Sequence, residues 1–213
     1  MNRTNKILVD ICWTLFYSNT TLDFLDFIIK EKSYIYLRKF FSSYFGNAIN
    51  LLIYKLLHYD CQRTLALKYL KGYHRSEILA CAERFYNEYL IPRRIDEVWN
   101  LLDKKEIILI SGTIDIIAQT IASHLGAKMY YASQLDFKDN ICTGKYCDFL
   151  LTKSNVLQHY KHFDIITDNL TDIGLIQQSQ LATVVIYNNQ ERWDTLLKNI
   201  TNTTFIYADQ SRY

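Results

Sequence analysis

Proline and glycine are scarce in this chain of 213 residues, which has one proline and six glycines. Because these two residues mark turns and loops, their scarcity favours long helices and few structureless loops. Hydrophobic residues make up 49% of the chain, enough for a sizeable core without disulfides or metals. The length predicts one domain of ordinary size with a small insert.

Blocks of like charge are also missing. The net charge is +2, and the basic residues are scattered along the chain. A nucleic-acid-binding surface usually shows clustered lysines and arginines, so we expect no nucleic acid as a partner. No run of charge indicates an interaction tail.

The chain lacks an apolar run long enough for a transmembrane helix, which needs about 20 mostly apolar residues. Residues 40–57 come nearest, but Asn47, Asn50 and Lys55 interrupt them. We expect no transmembrane segment. The favoured interpretation of this stretch is a buried helix of the insert, and the alternative is a helix that faces a membrane interface or a greasy substrate.

The five cysteines are Cys12, Cys61, Cys81, Cys142 and Cys147. Their number is odd, they form no CxxC pair, and no signal peptide precedes them, so we expect reduced thiols in a cytoplasmic protein. With five dispersed histidines, the ligand spacing of a structural zinc site is missing as well.

Hydrophobic periodicity divides the chain into an α/β core and a helical insert. Residues 6–10 predict a buried parallel strand, and residues 20–98 show helical spacing, with a helix from Arg75 to Tyr89 that Ser76 caps and Pro92 ends. Beyond residue 106, predicted strands (107–111, 128–132, 164–167, 183–187, 204–207) alternate with predicted helices (115–125, 153–159, 171–178, 191–199). Residues 133–145 read as a hairpin that turns at Asp139-Asn140. This alternation predicts a Rossmann-like parallel sheet from residues 1–18 and 97–213, with an all-helical cap at 19–96 and a small flap-like β-hairpin.

Polar side chains recur where the predicted strands end or helices begin. They are Asp10, Ser111, Lys153, Asp168 and Asp172. Strands of an open α/β sheet end at one edge, where ligands bind. Each residue alone is a weak signal, but their order predicts one pocket with carboxylates, a hydroxyl and an amine around it.

That order resembles the haloacid dehalogenase superfamily, and within it the phosphoserine-phosphatase-like branch. The first motif of that family is hydrophobic-Asp-x-Asp-Gly-Thr, and here the chain reads Val9-Asp10-Ile11-Cys12-Trp13-Thr14. The Ser-Gly of its second motif is Ser111-Gly112, its lysine is Lys153, and its acidic motif is Asp168-x-x-x-Asp172. Residues 70–92 resemble the end of the helical cap of that branch, and residues 132–145 its flap.

The resemblance implies hydrolysis of a small-molecule phosphate monoester with Mg²⁺ as cofactor. Asp10 is the implied nucleophile and forms an aspartyl-phosphate, while Ser111, Gly112 and Lys153 hold the transferring phosphate. Asp10, Asp168 and the backbone carbonyl of Cys12 are the implied Mg²⁺ ligands. Asp172 orients a metal-bound water or holds Lys153.

The sequence departs from the family at Cys12, which replaces the aspartate that serves as acid and base. A free thiol has a pKa of about 8.5 and is mostly protonated at neutral pH. Three interpretations stay open: an unusual acid or base; a specialised substrate or a phosphotransferase that needs no acid there; or a catalytically impaired binding protein. Trp13 replaces the family's glycine, so either the loop repacks or an indole lies at the pocket rim.

The aromatic residues of the cap leave the substrate open. We expect them to be core, and the alternative is a surface that contacts an apolar or sugar-bearing phosphate, such as a lipid or polysaccharide precursor. They are Phe40, Phe41, Tyr44, Phe45, Tyr54 and Tyr59. Arg63 and Lys71 are candidate substrate contacts, although solvated surface charge is the favoured interpretation of both.

Overall fold

A seven-stranded sheet organises the fold. The computed structural model describes residues 5–188 and 190–209. The strand order is β4-β3-β2-β1-β5-β6-β7, and every neighbouring pair is parallel except β3 with β4. The strands are β1 Lys6–Val9, β2 Glu106–Ile114, β3 Met129–Lys138, β4 Ile141–Cys147, β5 Asp164–Thr167, β6 Ala182–Ile186 and β7 Thr203–Tyr207. The predicted mixed α/β class with a largely parallel sheet is confirmed.

Helices fill the chain between β1 and β2 and join the later parallel strands. The α-helices are α1 Thr20–Ile28, α2 Lys32–Ser42, α3 Tyr44–Leu57, α4 Cys61–Leu67, α5 Arg75–Phe85, α6 Asp96–Trp99, α7 Asp115–Leu125, α8 Ile173–Gln178 and α9 Gln190–Leu197. Short 3₁₀ helices span Lys68–Leu70, Ile91–Arg93, Phe149–His159 and Leu170–Asp172, and a π-helical turn spans Tyr86–Leu90. Within the described part of the chain, no helix is both long and apolar enough to cross a bilayer.

The central strands are apolar on both faces because helices cover both sides of the sheet. Successive residues of a strand point to opposite faces. Ile7 and Val9 therefore join one buried cluster, which includes side chains of α1, α5 and α7. Leu8 points the other way and joins a second cluster, which includes side chains of α8 and α9. This burial fixes the register of β1 and places the residue after it, Asp10, at the carboxyl edge of the sheet.

The hairpin at Asp139-Asn140 is confirmed. β3 and β4 pair antiparallel across it, and Asp139 and Asn140 have φ angles of 51° and 63°. Two consecutive left-handed residues are the geometry of a tight hairpin turn that matches the twist of the strands, and Asn and Asp tolerate it well.

Three local predictions about helices differ from the structure. Ser76 is not the cap of α5; the His74 side chain accepts the Ser76 N–H, and the side chain of Glu77 returns to the His74 backbone. Residues 153–159 are not an α-helix but the end of the 3₁₀ helix Phe149–His159. The expected helix 171–178 is divided into the 3₁₀ turn Leu170–Asp172 and α8, which begins at Ile173.

The prediction that residues 40–57 form a buried core helix was also wrong. Gly46 is the buried residue of α3, whereas Tyr44 and Phe45 are 94% and 68% exposed. Of the six aromatic residues expected in the core, Phe41 is buried and Tyr54 half-buried, while Phe40 and Tyr59 are exposed like Tyr44 and Phe45. Helical periodicity alone could not show which face of this largely apolar stretch is covered.

Candidate functional site

Asp10, Lys153 and Asp172 form a buried charged cluster at the carboxyl edge of the sheet. Lys153 Nζ donates to Asp10 Oδ2 and to Asp172 Oδ2, both at 2.7 Å. Thr167 Oγ1 also donates to Asp172 Oδ2, at 2.6 Å. Burial alone would lower the pKa of Lys153, but the charges of Asp10 and Asp172 outweigh burial and raise it. Lys153 is therefore a permanent cation beside Asp10.

Asp168 lies on the other side of the cluster and is held by Thr14. Thr14 Oγ1 donates to Asp168 Oδ1 at 2.9 Å and accepts the backbone N–H of Asp168 at 3.0 Å. Burial, and after it the negative charge of Asp10, raise the pKa of Asp168 to about 7. The site thus brings two carboxylates close together with too little positive charge for both to ionise easily.

Ser111 and Gly112 lie in β2, which extends further than predicted and reaches Ile114. The pairing of β2 with β3 shifts in register between Ile110 and Ile114, so Gly112 lies at an irregularity of the ladder. A Cβ on Gly112 would lie 2.8 Å from the side chain of Leu150. A larger residue here would force the Leu150 side chain to move, so glycine allows the segment that carries Lys153 to approach closely.

Cys12 lies in the pocket with its sulfur close to two hydroxyl groups. Its Sγ is 3.0 Å from Thr20 Oγ1, and Ser111 Oγ donates to it at 3.9 Å. Thr20 in turn donates to Thr113 Oγ1 at 2.8 Å. Burial, followed by the charge of Asp10, raises the pKa of Cys12. The thiol is therefore neutral at physiological pH and cannot accept a proton as a base.

Trp13 places its indole at the pocket rim, which is one of the two outcomes expected from the sequence. It has a φ of 56°, a left-handed conformation that a bulky residue adopts only at a cost. The Tyr187 hydroxyl donates to the Trp13 carbonyl at 2.6 Å, and the two rings meet edge to face at 5.9 Å. Tyr187 thus holds the strained residue in place.

Arg63 is a pocket residue that sequence reasoning placed on the surface. It is buried, it donates to the Gly112 carbonyl, and its Nη1 lies 3.2 Å from Asp148 Oδ1. Its Nε is buried and has no partner among the described residues. Lys71, the other candidate contact, is exposed and is not among the residues that line the pocket. No local pattern of the sequence identifies Arg63 as a pocket residue, because its contacts with Gly112 and Asp148 are distant in the chain.

These residues surround a cavity of about 180 Å³ between the sheet edge and the helical insert. Asp10, Cys12, Ser111, Gly112 and Asp168 all line it, whereas Lys153 and Asp172 are buried behind Asp10. The insert contributes a second set of lining residues: Asn19, Thr21, Leu22, Asp60 and Arg63. The structure thus brings the predicted nucleophile, phosphate-binding and metal-binding residues into one cluster and adds residues of the insert, whereas Lys71 lies outside it.

The donor set fits Mg²⁺. Asp10 and Asp168 offer hard oxygens, and the raised pKa of Asp168 reports a deficit of positive charge that a divalent cation beside both carboxylates would relieve. Among residues 5–188 and 190–209, no three histidine, cysteine, aspartate or glutamate side chains form a ready-made metal site. Mg²⁺ commonly uses one or two carboxylates together with waters and substrate phosphate.

Comparison with known proteins agrees with this arrangement. A family model described as haloacid dehalogenase-like hydrolase matches residues 7–166. No curated protein matches the chain by sequence.

Three solved structures share the fold. A Bordetella pertussis Tohama I protein of unknown function superposes with a TM-score of 0.67 at 14% identity, over 97% of this chain and 99% of the other. A phosphoserine phosphatase with an analogue of the phospho-aspartyl intermediate gives 0.58 at 16%, over 99% and 97%. Cytosolic 5′-nucleotidase IIIB bound to cytidine gives 0.58 at 12%, over 94% and 80%. At these identities the likeness shows the fold.

Proposed function

The chain belongs to the haloacid dehalogenase-like hydrolase family, and from this premise we propose that it is a Mg²⁺-dependent phosphatase that hydrolyses a small-molecule phosphate monoester through Asp10. The observation that carries the proposal is the position of Asp10, which lines the pocket with a lysine ammonium 2.7 Å from its carboxylate. A carboxylate held next to a cation, in a pocket that a serine and a glycine also line, suits phosphoryl transfer to an aspartate.

In the proposed reaction, a carboxylate oxygen of Asp10 attacks the phosphorus atom, and the bond from phosphorus to the substrate alcohol breaks. Lys153, Ser111 and the backbone at Gly112 stabilise the charge on the phosphoryl oxygens. Asp10, Asp168 and the Cys12 carbonyl would hold Mg²⁺, and Asp172 would fix Lys153. Mg²⁺, when bound, supplies positive charge that neutralises the phosphoryl group. Water then cleaves the aspartyl-phosphate to release inorganic phosphate.

We infer that turnover is slow because of Cys12. Its neutral thiol donates only a weak hydrogen bond to the leaving alcohol, and it cannot deprotonate the attacking water. A positioned acid–base group contributes typically ~10²–10⁴-fold. Cys12→Asp is therefore expected to raise phosphate release by that order, with Cys12→Ser as the control. An unchanged rate in Cys12→Asp would contradict the assigned cause.

The experiment that tests the function measures phosphate release from a panel of phosphate monoesters, with and without Mg²⁺. Release that requires both Mg²⁺ and Asp10 supports the proposal. Asp10→Asn is expected to abolish it, while Asp103→Asn, the same change at an exposed position, leaves it intact. Release that survives in Asp10→Asn would refute the role of Asp10.

A second candidate function is phosphoryl transfer to an acceptor other than water. The raised pKa of Cys12 favours it, because a site without a base for water leaves the aspartyl-phosphate free to react with a better nucleophile. Acceptor-dependent product with negligible phosphate release would separate this function from hydrolysis. Tight binding of phosphorylated ligands without turnover would instead indicate a binding protein. The five unpaired cysteines favour a reducing compartment, and we place the activity in the cytoplasm.

A further inference from the structure

The second and third helices of the insert carry an apolar surface that faces solvent. We define the hairpin surface as seven large side chains of α2 and α3, each between 45% and 94% exposed: Phe40, Tyr44, Phe45, Leu51, Leu52, Leu56 and Leu57. At roughly 200 Å² for a fully exposed side chain of this size, their exposed areas add up to about 900 Å². The largest apolar patch of a typical monomer is about 300–600 Å². The summed exposed area of these seven side chains is larger than that, so the hairpin surface needs an explanation.

The outward orientation of α3 is fixed by polar contacts on its inner face. The Asn50 side chain accepts the Gln62 N–H at 3.1 Å and donates to Asp60 at 3.3 Å. Gly46 meets α2 so closely that a Cβ there would lie 2.1 Å from the Phe40 carbonyl oxygen. The helix therefore turns Asn50 and Gly46 toward the protein and its leucines outward, whereas an ordinary surface helix turns its apolar residues inward.

The segment that carries the hairpin surface is purely basic. Residues 32–59 contain Lys32, Arg38, Lys39 and Lys55 and no aspartate or glutamate. Arg38 is ion-paired with Asp26 of α1, so the three lysines carry the excess positive charge of the segment. The rest of the chain holds the other 20 of the 24 basic residues and all 22 acidic residues, so it is slightly acidic. Lys39 and Lys55 are exposed, and Lys55 lies one residue before Leu56 on the outward side of α3. Long lysine side chains can extend past neighbouring apolar groups and keep their ammonium in water.

We propose that the hairpin surface docks on an anionic lipid bilayer, with α3 lying in the plane of the interface. Exposed leucines and phenylalanine supply apolar area, tyrosine suits the boundary between apolar and aqueous phases, and the lysines complement acidic headgroups. At 14 residues α3 is about 21 Å long, shorter than the hydrocarbon core of about 30 Å. It is therefore suited to lie on the bilayer and not to span it.

A second copy of the chain is a less suitable occupant than a bilayer. In a two-fold dimer each surface meets itself, so two segments that each carry three lysines beyond the Arg38–Asp26 pair, and no acidic residue, would face each other. Like charges brought together at an apolar interface repel, whereas an anionic surface neutralises them. Charge complementarity thus selects the bilayer.

Docking would bring the pocket to the membrane surface. α4 packs against α3 and carries Arg63, which reaches the Gly112 carbonyl at the pocket. The pocket therefore lies one helix away from the docked surface. This placement does not depend on turnover, so bilayer binding is expected for Asp10→Asn as well, and failure of the phosphatase proposal would leave it untouched.

The test is co-sedimentation of the full chain with two kinds of vesicle, phosphatidylcholine alone and phosphatidylcholine with phosphatidylglycerol. Binding is expected to the second kind, to weaken at high salt, and to be weak to the first. Lys39→Glu/Lys55→Glu is expected to lower partitioning by about thirtyfold or more, because each lysine lost costs roughly fivefold and each new glutamate adds repulsion. Leu52→Ser/Leu56→Ser is expected to abolish binding.

Matched controls make the same changes on the α/β core. Lys161→Glu/Lys198→Glu and Leu101→Ser/Leu196→Ser alter exposed lysines and leucines there, and both should bind like the wild type. Unchanged thermal unfolding by circular dichroism would show that each variant is folded.

Three results would overturn the proposal. The first is no binding to either kind of vesicle, and the second is equal binding to both, which would reject the anionic preference. The third is a stable dimer in sedimentation equilibrium that Leu52→Ser/Leu56→Ser dissociates while vesicle binding is absent. That result would assign the hairpin surface to a second copy of the chain.

Discussion

Replacement of Asp168 by asparagine is expected to stabilise the metal-free protein at neutral and alkaline pH. Burial, and then the charge of Asp10, raise the pKa of Asp168 from 3.8 to about 7 in the folded state. The folded chain therefore keeps a proton that the unfolded chain loses near pH 4. Because the folded state binds more protons, the stability of the wild type falls as pH rises from about 4 to about 7, and stays lower above that.

The magnitude follows from the shift. At about 1.4 kcal/mol per pKa unit, a rise of about three units corresponds to roughly 4 kcal/mol above pH 7. Asp168 is only half-buried, and water in the pocket screens part of the unfavourable interaction. We therefore expect Asp168→Asn to raise the free energy of unfolding by about 2 kcal/mol. For a chain of this size that is a rise of about 4–8 °C in the unfolding midpoint. Asparagine keeps an oxygen that can accept from Thr14, so the hydrogen bond of 2.9 Å survives.

The assay is thermal unfolding of both proteins in EDTA from pH 4 to pH 8.5, followed by a titration with Mg²⁺ at pH 8. The stabilisation should be absent near pH 4, where the wild-type carboxyl is neutral, and complete above about pH 7.5. Excess Mg²⁺ should raise the midpoint of the wild type and leave the variant nearly unchanged. A variant that is less stable than the wild type at pH 8, or a stability difference that does not vary with pH, would show that the ionised Asp168 carboxylate does not destabilise the folded protein.

Three further substitutions test the site. Lys153→Met leaves two buried carboxylates without their cation, and urea unfolding should show a loss of about 3–5 kcal/mol; a loss below about 1 kcal/mol would mean the cluster is solvated. Thr14→Val removes both hydrogen bonds to Asp168, and calorimetry should find Mg²⁺ affinity lowered about 10–100-fold; unchanged affinity would separate Asp168 from the metal. Trp13→Gly relieves a left-handed φ worth about 1–2 kcal/mol but loses the contact with Tyr187, so stability should change by under about 1 kcal/mol while bulky phosphate esters gain in kcat/KM over small ones. An unchanged ratio would place the indole outside the path of the substrate.

The sheet and the charged cluster were predictable from the sequence because their signals are local. The buried strands are recognisable as short apolar runs rich in β-branched residues. The residue that follows each parallel strand must lie at the same edge of the sheet. Asp10 and Asp168 follow two such strands, β1 and β5, that pair directly. Their proximity therefore follows from the order of elements, and the structure adds only the distances.

Contacts between the insert and the core could not be predicted in the same way. Arg63 lies 49 residues from Gly112 in the chain, and a lone arginine in a helical stretch is usually a solvated charge. The hydrogen bonds that join Cys12 through Thr20 to Thr113 likewise depend on how the insert is placed over the sheet. Short-range patterns carry no information on such packing.

The exposure of α3 shows a different limit of sequence reasoning. Its residues are apolar around most of the helix, so periodicity assigns no unique inner face. The hydrogen bonds of Asn50 and the close approach at Gly46 decide the orientation. Each depends on a single residue, yet together they decide the orientation of a helix that is mostly apolar. The reason is that burying an amide without hydrogen bonds costs more free energy than exposing a leucine.

The substitution at Cys12 also changes the charge balance of the site. A second aspartate there would add a fourth carboxylate to Asp10, Asp168 and Asp172, against the single buried ammonium of Lys153. With a neutral thiol at this position the pocket carries one negative charge fewer, which lowers the repulsion of an incoming phosphate dianion. On the proposed mechanism this favours attack by Asp10 and disfavours the later attack by water, which needs a base. The aspartyl-phosphate should therefore accumulate during turnover, and a burst of alcohol product ahead of phosphate release would demonstrate it.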